Sequence, residues 1–214
     1  NDRIKLTGAN RLWESVIFAV RGILLSDSDS IKYAISGIQD VVVITDSGDG
    51  FYKDGSFIQH DNIPYNCGYG RSLIQELAPM LYTFKDTEFE IKNTDIINTW
   101  VEKSYLPFIY NGRTMDMVRG REISRYYEQS DFACSRILSA MLILTELSEF
   151  DILRSVIKTH LTDSFFEYAS LFAVELAEGL QEDDNIEPKE IKPYFMAFNS
   201  MDRAVKHGNG YTIG

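Results

Sequence analysis

Positive charge is in short supply: 21 Lys+Arg stand against 32 Asp+Glu, a formal net charge of −11. That field is poor for docking on nucleic acid or anionic lipid, so neither is expected as a partner, and a polyanion would need a local basic site. Only two cysteines occur, Cys67 and Cys134. They offer no metal-ligand spacing and no disulfide framework, and are read as two unpaired thiols. Histidine is as scarce, with His60, His160 and His207 in neither an HExxH nor another paired arrangement, so no metal and no cofactor is expected. Glycine-rich phosphate loops and fixed-period repeats are missing. No apolar run approaches the roughly 20 residues that span a bilayer, which excludes a membrane segment. The polar start at Asn1 carries no hydrophobic signal core, as in a cytosolic protein or a mature or excised piece of an exported one.

What is present is an ordinary globular composition, 44% hydrophobic and 25% charged over 214 residues, enough for one large core. Residues 11–25 set Leu12, Val16, Val20 and Ile23 at helical spacing. The SDSDS turn at 26–30 then supplies N-caps for a second helix over 31–44. Further helices are predicted over 71–84, 94–110, 132–147, 150–162 and 164–180, with IKPYFMAF at 191–198 also read as helical. The final GNGYTIG reads as a turn entering a strand. Fold class is therefore all-α, built from consecutive helical hairpins. One domain covers 1–207, and the start of a following β region covers 208–214. Trp13 and Trp100 fall within helices and are read as core first and as ligand-facing aromatics second.

Two irregular stretches interrupt the helices. The first, 45–70, is longer than ordinary connections and gathers aromatics, His60, Asn66 and Tyr69 among glycines. Burial of Phe51, Phe57 and Tyr65 would hold His60 and Tyr69 in place; the plain alternative is an aromatic plug beside a satisfied histidine. Only a folded loop brings His60 and Tyr69 together. Histidine shuttles protons near neutral pH, and tyrosine serves as acid or base where cations favour its phenolate. The second stretch, NGRTMDMVRGREISRYY at 111–127, supplies such cations in Arg119, Arg121 and Arg125. If a helix starts near Arg121, that residue and Arg125 share a face suited to carboxylate or sulfate. Surface ion pairing with Asp116, Glu122 and Glu128 is the competing reading. Arg113 and Asp116 are read as loop anchors.

The stretches TGAN (7–10), GDGFYKDGSFIQH (48–60), YNCGYG (65–70), MDMVRGREISR (115–125) and FNSMD (198–202) resemble the catalytic domain of polysaccharide lyase family 8, which contains hyaluronate, chondroitin and xanthan lyases. Their order and spacing match over nearly the whole chain. The resemblance implies an incomplete (α/α) toroid with a cleft at one end, cleaving acidic polysaccharide by β-elimination without metal. It implies Asn10, His60, Tyr69, Arg121 and Arg125 as catalytic residues, with Asn199 and Arg119 as substrate contacts. It also implies secretion or cell-surface display, and further domains in a longer parent chain. YNCGYG departs from the family pattern at Asn66 and Cys67, where relatives commonly carry small or hydroxyl residues; Cys67 is read as a packed thiol.

The implied chemistry explains the residue set. Removing the C5 proton of a uronate is opposed by its adjacent carboxylate, which an asparagine amide and an arginine or histidinium could neutralise as the intermediate forms. Where the C5 hydrogen and C4 oxygen lie on one face, one residue can serve both. Tyr69 is favoured as that base and acid, and the division with His60 as base and Tyr69 as acid stays open. Hyaluronan or chondroitin is the first expectation for substrate and xanthan the second. A non-catalytic polysaccharide-binding domain and a helical interaction domain without a sugar site are the rivals.

Overall fold

The computed structural model describes residues 6–214; the polar opening at 1–5 lies outside them. Helices α1 (Gly8–Leu25) and α2 (Ser28–Val41) form the first hairpin. Between them Ser26 adopts the left-handed conformation, and the Asp27 carboxylate accepts from the N–H groups of Asp29 and Ser30 at 3.1 and 3.2 Å. The predicted SDSDS turn thus caps α2 as proposed, although that helix starts earlier and ends at Val41 rather than at 44.

The stretch after α2 contains more regular structure than its glycines suggest. Strands β1 (Gly50–Phe51), β2 (Phe57–Gln59) and β3 (Ile63–Pro64) form a small antiparallel sheet before α3 (Tyr69–Phe84). Phe51, Phe57 and Tyr65 are buried beneath it. Phe51 stacks on Trp100 with ring centroids 4.1 Å apart and meets Phe57 edge-on at 4.6 Å.

The single helix expected over 94–110 is instead three short pieces: α4 (Ile96–Trp100), a π-helical turn (Val101–Tyr105) and a 3-10 turn (Leu106–Phe108). Pro107 cannot donate to an α-helical ladder, and the chain leaves it directly into β4 (Ile109–Tyr110), which pairs with β5 (Arg113–Thr114). Helix α5 (Ser130–Leu144) follows, buried along most of its length, as befits a helix that packs against α3, α6 (Leu153–His160), α7 (Asp163–Tyr168) and α8 (Leu171–Glu182). The predicted 164–180 helix breaks between α7 and α8, where Ser170 turns extended and its hydroxyl caps α8 by accepting from the Ala173 N–H at 3.3 Å.

The largest correction concerns IKPYFMAF. It is not helical: Tyr194–Phe198 is β6, paired with β7 (Arg203–Gly208), which pairs in turn with β8 (Tyr211–Ile213). Pro193 opposes a helix around it, and the following aromatic run favours a strand. The strand region therefore starts at 194, well before the expected 208. It shares the helical core through Phe198, Met201 and Val205. His207 on β7 donates from Nε2 to the Pro107 carbonyl at 2.8 Å, while its Nδ1 accepts from the Thr212 hydroxyl at 3.1 Å.

His160, at the end of α6, is 4% exposed. Burial, reinforced by neighbouring His207, pulls it down to about 4 from the usual 6.5. Both folded and unfolded chains hold it neutral above pH 6.5, whereas between 6.5 and about 4 the unfolded chain takes up the proton first. Stability is therefore lost as pH falls through that window, by about 3 kcal/mol from this group. Urea unfolding from pH 7 to 4 should show a stability slope that is flatter by this amount in His160→Gln than in the native chain.

Candidate active site

Tyr69 opens α3, and its ring is the meeting point of three elements. His60, from the β2–β3 turn, approaches edge-on with ring centroids 4.9 Å apart. Tyr65 approaches from the loop at 4.9 Å, and Trp13 from α1 at 5.6 Å. Arg121 completes the group from the second irregular stretch, donating from Nη2 to the Tyr69 hydroxyl at 3.1 Å. Its backbone N–H donates to the Tyr65 hydroxyl at 3.0 Å. A guanidinium thus faces the oxygen on which a phenolate charge would develop.

His60 reaches this position by local backbone strain. It and Asp61 both adopt positive φ, 56° and 70°, a conformation that costs non-glycine residues about 1–3 kcal/mol each and persists only where surrounding contacts enforce it. The enforcing contact is Asp49. One of its carboxylate oxygens accepts from the Asp61 N–H at 3.2 Å, and the other from Gln59 Nε2 at 2.5 Å and the Thr7 hydroxyl at 2.8 Å. Gln59, fully buried, in turn accepts from the Ala9 N–H at 3.3 Å. The His60 turn and the start of α1 are therefore fastened to one another. Gly8 makes this possible: its φ is +52°, and an added Cβ would stand 2.6 Å from Gln59 Oε1.

Asn10 lies in the first turn of α1, half-buried, one turn before Trp13. Residues three apart on a helix are neighbours, so Asn10 shares the side of α1 on which Trp13 meets Tyr69. Trp13 was read first as core, but it is 37% exposed; Trp100, at 1%, is a core residue as expected.

The three motif arginines separate. The helix face that Arg121 and Arg125 were to share does not form: Gly120–Ser124 is a 3-10 turn and Arg125 is already extended. The Arg125 guanidinium turns to Glu128 at 2.5 Å and Glu122 at 3.8 Å, and the Glu128 bond raises its pKa. Arg119, expected as a substrate contact, is 1% exposed. It pairs with Asp116 at 2.6 Å and donates to the backbone carbonyls of Glu122 and Glu128, so it holds the loop together and has no surface to offer a ligand. Asp116 anchors the loop as proposed. Glu122 pairs with buried Arg71 at 3.3 Å; burial nevertheless raises its pKa.

Asn199 is exposed in the short turn between β6 and β7. The adjoining Ser200 N–H donates to Asp54 Oδ2 at 2.8 Å, tying that turn to the β1–β2 connection. An open groove of about 510 Å³ runs between Asp61 and Asn62 on one wall and Ser200 and Asp202 on the other.

The two departures in YNCGYG are structural. Asn66 is fully buried, accepting from the Phe57 N–H at 3.2 Å and donating to the carbonyls of Gly55 and Ser104 at 2.8 and 2.9 Å. Cys67 is buried and unpaired, and burial pushes its thiol far above the ordinary range, which leaves it inert. Asp49 and Gln59 were missed as site-building residues, and Trp13 was read first as core. Their signal in the chain was only their place within or beside motifs whose neighbours drew the attention.

The family model described as polysaccharide lyase family 8, N terminal alpha-helical domain, matches residues 1–159. A xanthan lyase of Bacillus sp. (strain GL1) is 32% identical over 99% of this chain and 24% of its own length. A hyaluronate lyase of Thermasporomyces composti is 34% identical over 94% of this chain and 27% of its own. Among solved structures, a Paenibacillus xanthan lyase superposes with a TM-score of 0.89 at 33% identity, covering 95% of this chain and 20% of that one. A Streptomyces coelicolor chondroitin AC lyase in complex with chondroitin sulphate does so at 0.82 and 26% identity, covering 94% and 30%. The chain spans about a quarter of the length of the curated relatives it matches.

Asp49→Ala removes three hydrogen bonds to one carboxylate and should lower stability by about 2 kcal/mol in urea unfolding. The His60 ring resonances should move at the same time; an unshifted His60 spectrum would show that Asp49 does not set that turn.

Proposed function

The chain belongs to polysaccharide lyase family 8, and from that premise we propose that it carries the proton-transfer centre of a lyase acting on a uronate-containing acidic polysaccharide by metal-independent β-elimination. One observation supports this above the rest: the Tyr69 hydroxyl receives Arg121 at 3.1 Å while its ring receives His60 at 4.9 Å. A phenol beside a guanidinium and an imidazole is equipped to lose and regain a proton.

In the proposed step, the Tyr69 phenolate removes the C5 proton of the uronate. The electron pair forms the C4=C5 double bond, and the C4–O bond breaks. The Tyr69 phenol then returns the proton to the departing glycosidic oxygen. The products are a chain with a free hydroxyl and one ending in a 4,5-unsaturated uronate, and no water is consumed. Asn10 donates to the uronate carboxyl group, whose negative charge grows as C5 loses its proton, so its contribution is greatest in the transition state. Arg121 supplies the positive charge at Tyr69, and His60 orients the site and balances its charge. Arg125, held by Glu128 and Glu122, acts through the loop that carries Arg121. Asn199 lies beside the groove and is proposed to meet the polymer away from the reacting ring.

We also propose that the helical hairpins form an arc of an (α/α) toroid. Among the described residues no helix is long and apolar enough to cross a membrane. Action outside the cell is part of the proposal, since intact polymers of this kind do not cross membranes. Hyaluronan or chondroitin is the first substrate reading. Xanthan is the second, favoured by the higher TM-score to the xanthan lyase.

Ultraviolet absorbance of the conjugated uronate, followed with hyaluronan, chondroitin, chondroitin sulfate and xanthan, tests the reaction directly. Tyr69→Phe should lower the rate about a thousandfold with polymer binding retained. Undiminished elimination in that variant would remove Tyr69 from the mechanism. Asn10→Ala should cost about a hundredfold in kcat with little change in KM; a loss confined to KM would contradict charge neutralisation in the transition state.

A further inference from the structure

The face of α1 that carries Trp13 continues through Ile17, Val20 and Leu24, at steps of four, three and four residues, and all four side chains are exposed. Trp13 differs from the others in one respect. Its indole leans on the ring of Tyr69 at 5.6 Å and 40°, so it is fixed from one side while more than a third of its surface stays open. An indole held in that way keeps a flat apolar face at a defined place and loses little conformational freedom when something lies on it.

Asn10 is three residues earlier on the same helix, and Cβ atoms at that spacing are about 5–6 Å apart, close to the span of one sugar ring. Pyranose rings present C–H groups on one face and hydroxyls around the rim, so the apolar face suits an indole while the rim stays available to amides. We propose that Trp13 is a saccharide-binding platform on which the sugar residue next to the uronate stacks, placing the carboxyl group at Asn10 and C5 at Tyr69. This rests on the lyase reading for the identity of the polymer, but the platform itself needs only a pyranose. It also gives an acidic chain a means of gripping a polyanion that does not depend on net charge.

The chain contains two tryptophans, and they separate cleanly: Trp13 is 37% exposed and Trp100 1%, stacked on Phe51. Ligand-dependent changes in tryptophan emission and in its quenching by acrylamide therefore report on Trp13. Titration with hexasaccharides of hyaluronan and chondroitin, and with a xanthan oligosaccharide, should shift the emission to shorter wavelength with at least one of them and protect it from acrylamide. Trp13→Ala should weaken binding by calorimetry about tenfold, and Trp13→Phe less, because an aromatic face remains. Ile17→Ala, one turn further along the same face, should leave affinity unchanged and controls for general damage to α1.

Calorimetric binding with unchanged emission, or with full affinity in Trp13→Ala, would overturn the platform and leave elimination standing. Binding by none of the three probes would overturn it as well. An emission shift without any conjugated uronate would keep the platform and remove the lyase reading. Equal losses in Trp13→Ala and Ile17→Ala would show the whole face to be a packing surface, which contradicts the proposal.

Discussion

An irregular segment as long as the one between α2 and α3 must find partners for its backbone polar groups outside any extensive ladder, and the arrangement of the site follows from how it does so. Three polar side chains carry much of that duty. Asp49 gathers Thr7, Gln59 and Asp61; Gln59 extends the connection to Ala9; Asn66 bridges Phe57, Gly55 and Ser104. Beneath them, Phe51 packs against Phe57, Trp100 and Tyr105 of the π-helical turn. His60 is held in a strained turn because both layers oppose its relaxation.

The distribution of arginines reconciles an acidic chain with the anionic substrate proposed for it. Arg71 lies buried against Glu122, Arg119 is enclosed by Asp116 and two carbonyls, and Arg125 is paired with Glu128. Those three are engaged in ion pairs that brace the loop. Arg121 rides on it, with its backbone N–H on Tyr65 and its guanidinium on Tyr69. Gly120 fits the same design: with φ +53°, an added Cβ would stand 2.3 Å from the Tyr65 ring, so the loop can approach the two tyrosines only with glycine there. The positive charge at the site is set by placement rather than by number.

Much of this was legible in the chain. Helical spacing and the SDSDS turn located the first hairpin, and the concentration of aromatics marked 45–70 as a built structure with a buried floor. Elements whose boundaries depend on partners distant in sequence were not legible. Tyr194–Phe198 carries apolar residues that suit either period, and it is a strand because β7 pairs along all of it. The arginine cluster misled for a related reason. Charged residues read alike in sequence, and only burial separates Arg119, which is inside, from Arg121, which is not. Trp13 was misplaced because a helical position gives no sign of whether a neighbour covers it.

The bond between Asp54 and the Ser200 N–H joins the β1–β2 connection to the turn that bears Asn199. Asp54 also accepts from the Ser56 N–H at 2.9 Å, so one carboxylate belongs to both banks of the groove beside His60. The two banks are thus coupled through one side chain, in the manner of a caliper rather than of a free jaw. Under the proposed function, a polymer thread lying in the groove would meet two banks already tied together, so its branches would be sorted by steric fit.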